Sequence, residues 1–191
     1  VVKLLVIGKV VDGELELRVH PTLIPEDHLL ATVDGAYNGV LVTGDMVGST
    51  MYYGLGAGQG AAASAVMSDI IYESRNIHDD ISGDTSNCWF LSDNPMVKKF
   101  KKMEDVTSRY YLKFTVMDQP GVLSAISRIL GEHHISIASV IQKERKKGDK
   151  VPVVITTYEA EERKVREALD KINGLPFIHE ETLLIRMDRG E

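Results

Sequence analysis

The apolar and polar positions of this chain change period several times, and each change marks an element. From Tyr111 to Met117 (YLKFTVM), Leu112, Phe114 and Val116 alternate with Tyr111, Lys113 and Thr115, the two-residue period of a half-buried strand. Asp118-Gln119-Pro120-Gly121 interrupts it. Val122, Leu123, Ile126, Ile129 and Leu130 then recur at helical spacing, so an apolar stripe can cover one face of a sheet. The pattern predicts two further strands, Ile135 to Lys143 and Lys150 to Tyr158, joined through the polar run Glu144 to Asp149 with Gly148-Asp149 as hairpin tip. Val165, Ala168, Leu169 and Ile172 return to the helical period, and Thr182 to Met187 is a last strand. The order β-α-β-β-α-β makes one ferredoxin-like unit over residues 109–188.

The first seventy-five residues follow another rhythm. Val2 to Val11 and Glu14 to His20 read as strands joined at Asp12-Gly13, with Leu15, Leu17 and Val19 alternating against Glu14, Glu16 and Arg18. Pro21, Pro25 and Asp27 predict a loop. Tyr37 to Thr43 and Ser49 to Tyr53 read as a second hairpin around Gly44-Asp45, followed by Gly54-Leu55-Gly56-Ala57-Gly58-Gln59-Gly60 and a small-residue helix from Ala61 to Glu73. A glycine-rich turn from strand to helix lets a nucleotide approach bare backbone at a helix start; it equally serves tight helix-to-sheet packing. A self-sufficient dinucleotide fold needs a second strand soon after the helix, with an acidic residue near its end. Here the polar stretch Arg75 to Asn94 follows instead, and it reads as a linker whose only apolar cluster is Trp89-Phe90-Leu91.

Composition narrows the function classes. With 191 residues and 43% hydrophobic content, the chain can bury a core and is long enough for two small domains. A net charge of −6 speaks against general nucleic-acid binding, so the lysine runs Lys98 to Lys102 and Lys143 to Lys150 read as solvated linker and hairpin. The lone Cys88 fits a reducing, cytoplasmic compartment, and no segment has the roughly 18 consecutive apolar residues of a membrane span. The six histidines and one cysteine show no zinc-type spacing, so no metal site is expected. Ser64 and Ser68 face no evident base, and no phosphate-loop lysine motif occurs.

The C-terminal pattern, DQPGVLSAISRIL above all, resembles an ACT domain, a regulatory module that commonly binds amino acids. Unpaired amides at a helix start attract a carboxylate, and a glycine admits the ligand closely. The resemblance therefore implies an effector site at Asp118, Gly121, Val122 and Leu123, meeting a partner strand near Ile135 and Ile137. The alternative is that Asp118 caps the helix and Gly121 makes the turn, with no ligand. ACT domains usually pair, which implies a homo-oligomer, dimer or tetramer.

Arg18-Val19-His20-Pro21-Thr22, Asp34-Gly35 with Asn38, and Tyr53-Gly54-Leu55-Gly56-Ala57-Gly58 followed by Ser64-Ala65-Val66 and Asp69 resemble the C-terminal part of the homoserine dehydrogenase catalytic region. Many bacterial members carry an ACT domain after that block. The implied fold class is α+β: the end of a mixed-sheet substrate domain over 1–75, a linker over 76–108, and the ACT domain over 109–188. The implied activity is NAD- or NADP-dependent interconversion of L-homoserine and L-aspartate 4-semialdehyde, with feedback by an amino acid, threonine by family expectation. The family's Rossmann domain and its catalytic lysine and aspartate are expected upstream of Val1, so no catalytic residue is assigned, Lys3 is structural, and the fragment alone should be inactive. Gly56, Ala57 and Gly58 are the remaining cofactor-binding candidates. Leu55 stands where many members have arginine, and Ala61-Ala62 where many have Pro-Thr. A non-enzymatic amino-acid sensor or dimerisation module is the competing reading.

Overall fold

The computed structural model describes residues 1–78, 99–142 and 150–188. Cys88, the Trp89-Phe90-Leu91 cluster, most of the expected linker and the expected Gly148-Asp149 tip lie outside the described residues. The elements in chain order are β1 (Val2–Val11), β2 (Glu14–Leu23), β3 (Tyr37–Gly44), β4 (Gly48–Leu55), α1 (Gln59–His78), β5 (Thr107–Met117), α2 (Val122–Glu132), β6 (Ile137–Ile141), β7 (Lys150–Thr157), β8 (Ala160–Glu161), α3 (Glu162–Asn173) and β9 (Leu183–Met187). They fall into two compact units, Val1–Pro25 with Val97–Glu191, and Glu26–Met96.

In the first unit the alternation along β5 does what its period demands. Tyr110, Leu112, Phe114 and Val116 are buried on one face, where α2 contributes Val122, Ile126, Ile129 and Leu130 and α3 contributes Val165, Ala168, Leu169 and Ile172. Burying each large apolar side chain contributes about 1.5–3 kcal/mol, and this cluster is the core. The strand order β9-β5-β7-β6 is that of a ferredoxin-like sheet. β6 is shorter than its sequence pattern predicts: His134 turns through a left-handed φ of 58°, Ile135 drops into the core, and the ladder to β7 shifts register between Ile137 and Ser139.

The sheet does not stop at β9. β1 and β2 form an antiparallel hairpin, and β2 adds in parallel to β9 through Thr22 with Arg186 and Leu23 with Met187. The compact units thus divide at Pro25, whereas the family-scale expectation divides the chain near residue 75. β2 also runs through Pro21, where a loop is expected, because this ladder and the Asp188 N–H bonding the Leu23 carbonyl at 2.9 Å hold it extended.

The hairpin's alternation is real, but its buried side is polar. Glu16, Arg18, His20 and Thr22 are buried, while Leu17 is 60% and Val19 63% exposed. Across from them Leu4, Val6 and Val10 on β1 are exposed too. Two of these buried groups have side-chain partners: Lys101 Nζ lies 3.2 Å from Glu16 Oε1, and Thr22 Oγ1 meets His20 Nδ1 at 3.0 Å. Lys99 and Lys101, expected in a solvated linker, flank Phe100, whose neighbours bond both sides of Leu15 on β2; Lys99 Nζ also pairs with Glu14 at 2.6 Å.

In the second unit β3 and β4 pair from Tyr37 with Leu55 to Gly44 with Gly48, and the rings of Tyr37 and Tyr53 stack at 4.8 Å. Gly39 is required here, since a Cβ would stand 2.9 Å from Val33 Cγ2 and 3.1 Å from Met51 Cε. α1 is longer than its small-residue core, running to His78, and buries none of its residues.

Candidate functional site

Two glycine-opened helix starts carry the candidate chemistry, one in each unit. In the first unit the chain leaves β5 at Met117, makes a tight turn in which the Gln119 N–H bonds the Met117 carbonyl at 2.9 Å, and enters α2 from Gly121. Gly121 sits at φ 93°, a left-handed conformation that a side chain resists, and space around its missing Cβ is open within 4 Å. The N-cap position is Gly121 itself, which has no side chain to cap with, and Asp118 stands three residues before it. The first-turn amides have no acceptor within the helix, so this end presents positive partial charge over an open glycine.

The other effector candidates divide by burial. Leu123 is exposed at the helix start, whereas the Val122 side chain is in the core and can offer only backbone. Ile135 is buried and its N–H bonds the Leu130 carbonyl at 2.9 Å; Ile137 is half-buried at the head of β6. Register separates the two groups within one copy. Met117 lies opposite Lys150 and Ile137 opposite Thr157, so the groups sit at opposite ends of β7, seven residues and about 23 Å apart. A ligand touching both would have to lie between two copies.

In the second unit the turn after β4 is fastened by the Gly56 N–H, which bonds the Ala36 carbonyl at 2.9 Å. A Cβ on Gly56 would overlap the side-chain amide of Asn38, so Asp34-Gly35, Asn38 and the glycine turn form one local constellation. Gly58 has φ 125° and, like Gly54 and Gly60, nothing within 4 Å of its missing Cβ; the Ala62 N–H bonds the Gly58 carbonyl at 3.0 Å as α1 begins. The result is bare backbone at a helix start, which suits a phosphate or a flat ring. Gly56, Ala57 and Gly58 fit such a group by backbone alone.

A third cluster was hidden from sequence reasoning. Glu162, at the first residue of α3, is only 4% exposed and accepts hydrogen bonds from Tyr110 Oη (2.9 Å), Arg166 Nε (2.9 Å), and Arg186 Nε and Nη2 (2.9 and 2.5 Å). Burial pushes its carboxyl up, but the Arg186, Arg166 and Tyr110 hydrogen bonds outweigh burial and hold it below the ordinary carboxylate value. Burial and the facing Glu162 carboxylate push the Tyr110 phenol well up. In the sequence, EAEERKVREAL reads as a solvated helix start, and only the buried network shows which glutamate points inward. Among the described residues no group of His, Cys, Asp and Glu could hold a metal ion, and no helix is long and apolar enough to cross a membrane.

Comparison with known proteins matches both halves. The homoserine dehydrogenase family profile covers residues 1–71 and the ACT domain profile covers residues 110–177. The chain is 38% identical over 187 residues to homoserine dehydrogenase of Neisseria gonorrhoeae, covering 98% of this chain and 43% of that protein. It is 37% identical over 193 residues to the Pseudomonas aeruginosa enzyme, covering 98% and 44%. The crystal structure of a homoserine dehydrogenase from Thiobacillus denitrificans superposes with a TM-score of 0.79 at 37% identity, over 98% of this chain and 42% of that one. The chain thus spans less than half the length of the curated relatives it matches. Residues 1–71 thus match the C-terminal region of homoserine dehydrogenase and residues 110–177 an ACT domain, in one order along the chain.

Proposed function

We propose that this chain is the end of the substrate domain and the regulatory domain of an NAD(P)-dependent homoserine dehydrogenase, which interconverts L-homoserine and L-aspartate 4-semialdehyde, and that its ACT domain senses threonine. The observation carrying the enzyme reading is collinear: one relative at 38% identity accounts for 98% of the chain, through both blocks in the same order. The apolar residues Val66, Met67, Ile70, Ile71 and Tyr72 exposed on α1 and Val40, Val42, Tyr52 and Leu55 exposed on the β3–β4 hairpin agree with it, since apolar surface on this scale calls for a cover.

The glycine turn is the cofactor element in this reading. Gly56, Ala57 and Gly58 hold the dinucleotide through backbone, and the nicotinamide supplies a hydride acceptor or donor when bound. The residues that move protons lie outside this chain, so the purified chain alone transfers no hydride from homoserine to NADP, and detection of that transfer would refute the assignment.

For the regulatory part, the glycine-opened start of α2 takes the effector carboxylate on the amides of Gly121, Val122 and Leu123. A second copy supplies the strand near Ile135 and Ile137, because one copy holds these groups at opposite ends of the sheet. The assembly is therefore a symmetric pair. Threonine controls the enzyme only if it prefers one arrangement of that pair over another. Calorimetric titration with threonine, with methionine, isoleucine and lysine for comparison, tests this. Saturable threonine binding that disappears in Gly121→Ala, with circular dichroism unchanged, supports the sensor. Absence of binding by any of the four makes the ACT domain an assembly module.

A further inference from the structure

The seam where β2, β9 and β5 run together holds a cavity of about 140 Å³. One water needs roughly 10–15 Å³ by the same measure, so the space takes a molecule of several heavy atoms. Its charges do not balance. Lys9 is paired with Asp188 at 3.3 Å, whereas Arg18 on β2 and Arg109 on β5 form no ion pair among the described residues and share the cavity with one further acid, the exposed Glu159.

Arg18 is the informative member. It is 9% exposed, and its Nε and Nη1 are buried without a hydrogen-bond partner among the described residues. A guanidinium cannot give up its proton to relieve burial, so its retention here points to an acceptor. Glu162 is already committed to Arg186, Arg166 and Tyr110. Ser108 Oγ, also on the lining, makes only long bonds of 3.4 and 3.5 Å to the carbonyls of Arg109 and Met187, which leaves its hydroxyl able to turn.

We propose that this cavity binds a small oxyanion, a carboxylate or phosphoryl group, with Arg18 and Arg109 as guanidinium donors and Ser108 Oγ as a hydroxyl donor. The site is separate from the helix start at Gly121: Arg109 lies near the beginning of β5, and Gly121 follows its other end at Met117, eight residues and about 27 Å along the strand. Only two residue pairs join β2 to β9, so an anion bridging Arg18 and Arg109 fastens the β1–β2 hairpin to the ACT strands. Ligand binding there raises the stability of the seam by mass action.

The test is an NMR titration of the ¹⁵N-labelled chain with sodium phosphate, and separately sodium acetate, at constant ionic strength set by chloride. Saturable shifts of the Arg18 and Arg109 Nε–Hε signals and of the Ser108 amide are expected, and whichever anion saturates them names the chemistry. Arg109→Gln, which alters a half-exposed side chain, should weaken binding about tenfold, as loss of one charge-assisted hydrogen bond implies; Arg18→Gln should abolish it. Shifts that grow linearly to the highest concentration reached, or that are unchanged in Arg109→Gln, overturn the proposal. A threonine titration of the same sample separates this site from the effector site: threonine shifts confined to residues 118–125 and 135–137 leave the oxyanion site independent, and Gly121→Ala removes those without touching the phosphate response.

Discussion

Replacing Glu162 by Gln tests the central polar network of the ACT sheet. The wild-type carboxylate is 4% exposed and accepts four hydrogen bonds, two of them from Arg186. Gln keeps the volume and one acceptor oxygen but turns an NH₂ toward donors on Arg186, Arg166 or Tyr110, and leaves the Arg186 charge unmatched. Removing one partner of a buried pair costs about 3–5 kcal/mol, and the retained oxygen places E162Q at the lower end, about 3 kcal/mol. For a unit near one hundred residues, each kcal/mol moves the midpoint by about 4–8 °C, so the melting temperature falls by about 12–24 °C. Urea unfolding measures the free-energy loss and thermal unfolding the midpoint shift, both followed by circular dichroism at pH 7, with Arg163→Ala as reference. Arg163 pairs with Asp105 where both are largely solvated, side-chain exposures of 48% and 40%, and its loss should cost no more than about 1 kcal/mol. The pH dependence has a definite sign. Since the folded Glu162 titrates below its ordinary 4.5, its contribution is present above that pH and is lost as pH falls through the folded value, so wild type and E162Q converge in acid. Equal destabilisation by E162Q and R163A at pH 7, or a gap that widens in acid, would refute the reasoning.

Burial, with Arg186 and Arg18 nearby, outweighs the Pro21 carbonyl and holds His20 below its ordinary 6.5, so its neutral form is favoured in the fold; stability should decline as pH drops from 6.5 through the folded value, and His20→Asn should flatten that slope in urea titrations between pH 7 and pH 5. Ile126, fully buried between α2 and the sheet, should cost about 2–5 kcal/mol on truncation to Ala, read by the same unfolding assay. Gly56→Ala drives a methyl into the Asn38 amide and should destabilise the second unit by about 1–3 kcal/mol; limited proteolysis should show faster cleavage there, and adding Asn38→Gly should restore resistance.

What could be read from sequence was what is local. The β5 alternation and the α2 and α3 stripes each lie within a dozen residues, and the core contains the residues their periods name apart from Leu123, which is exposed. The place of Gly121 at the opening of α2 was legible because Pro120-Gly121 stands directly before an apolar helical stripe. The seam was not legible, because nothing near Thr22 encodes its pairing with Arg186. Leu17 and Val19 alternate with Glu16, Arg18 and His20 along β2, and it is the polar set that lies inside; a strand's alternation fixes two faces without saying which is inside. Glu162 and Arg18 were invisible for the same reason: a charged residue gives no sign of burial until its partners, or the cavity beside it, are assembled.

That parallel seam also sets the order in which the molecule can be made. Within this unit β1 and β2 come before the other strands and can close on each other at once through the Asp12-Gly13 turn, but the strand that β2 needs on its other side, β9, follows them by about 160 residues. Until β9 emerges, the hairpin's outer edge has no sheet to join and Arg18 has no wall beside it. Completion of this unit therefore waits for β9, its rate governed by a long-range closure rather than by the local helices. A chain ending before Leu183 would leave both the hairpin and β5 with open edges, a template for pairing between nascent chains.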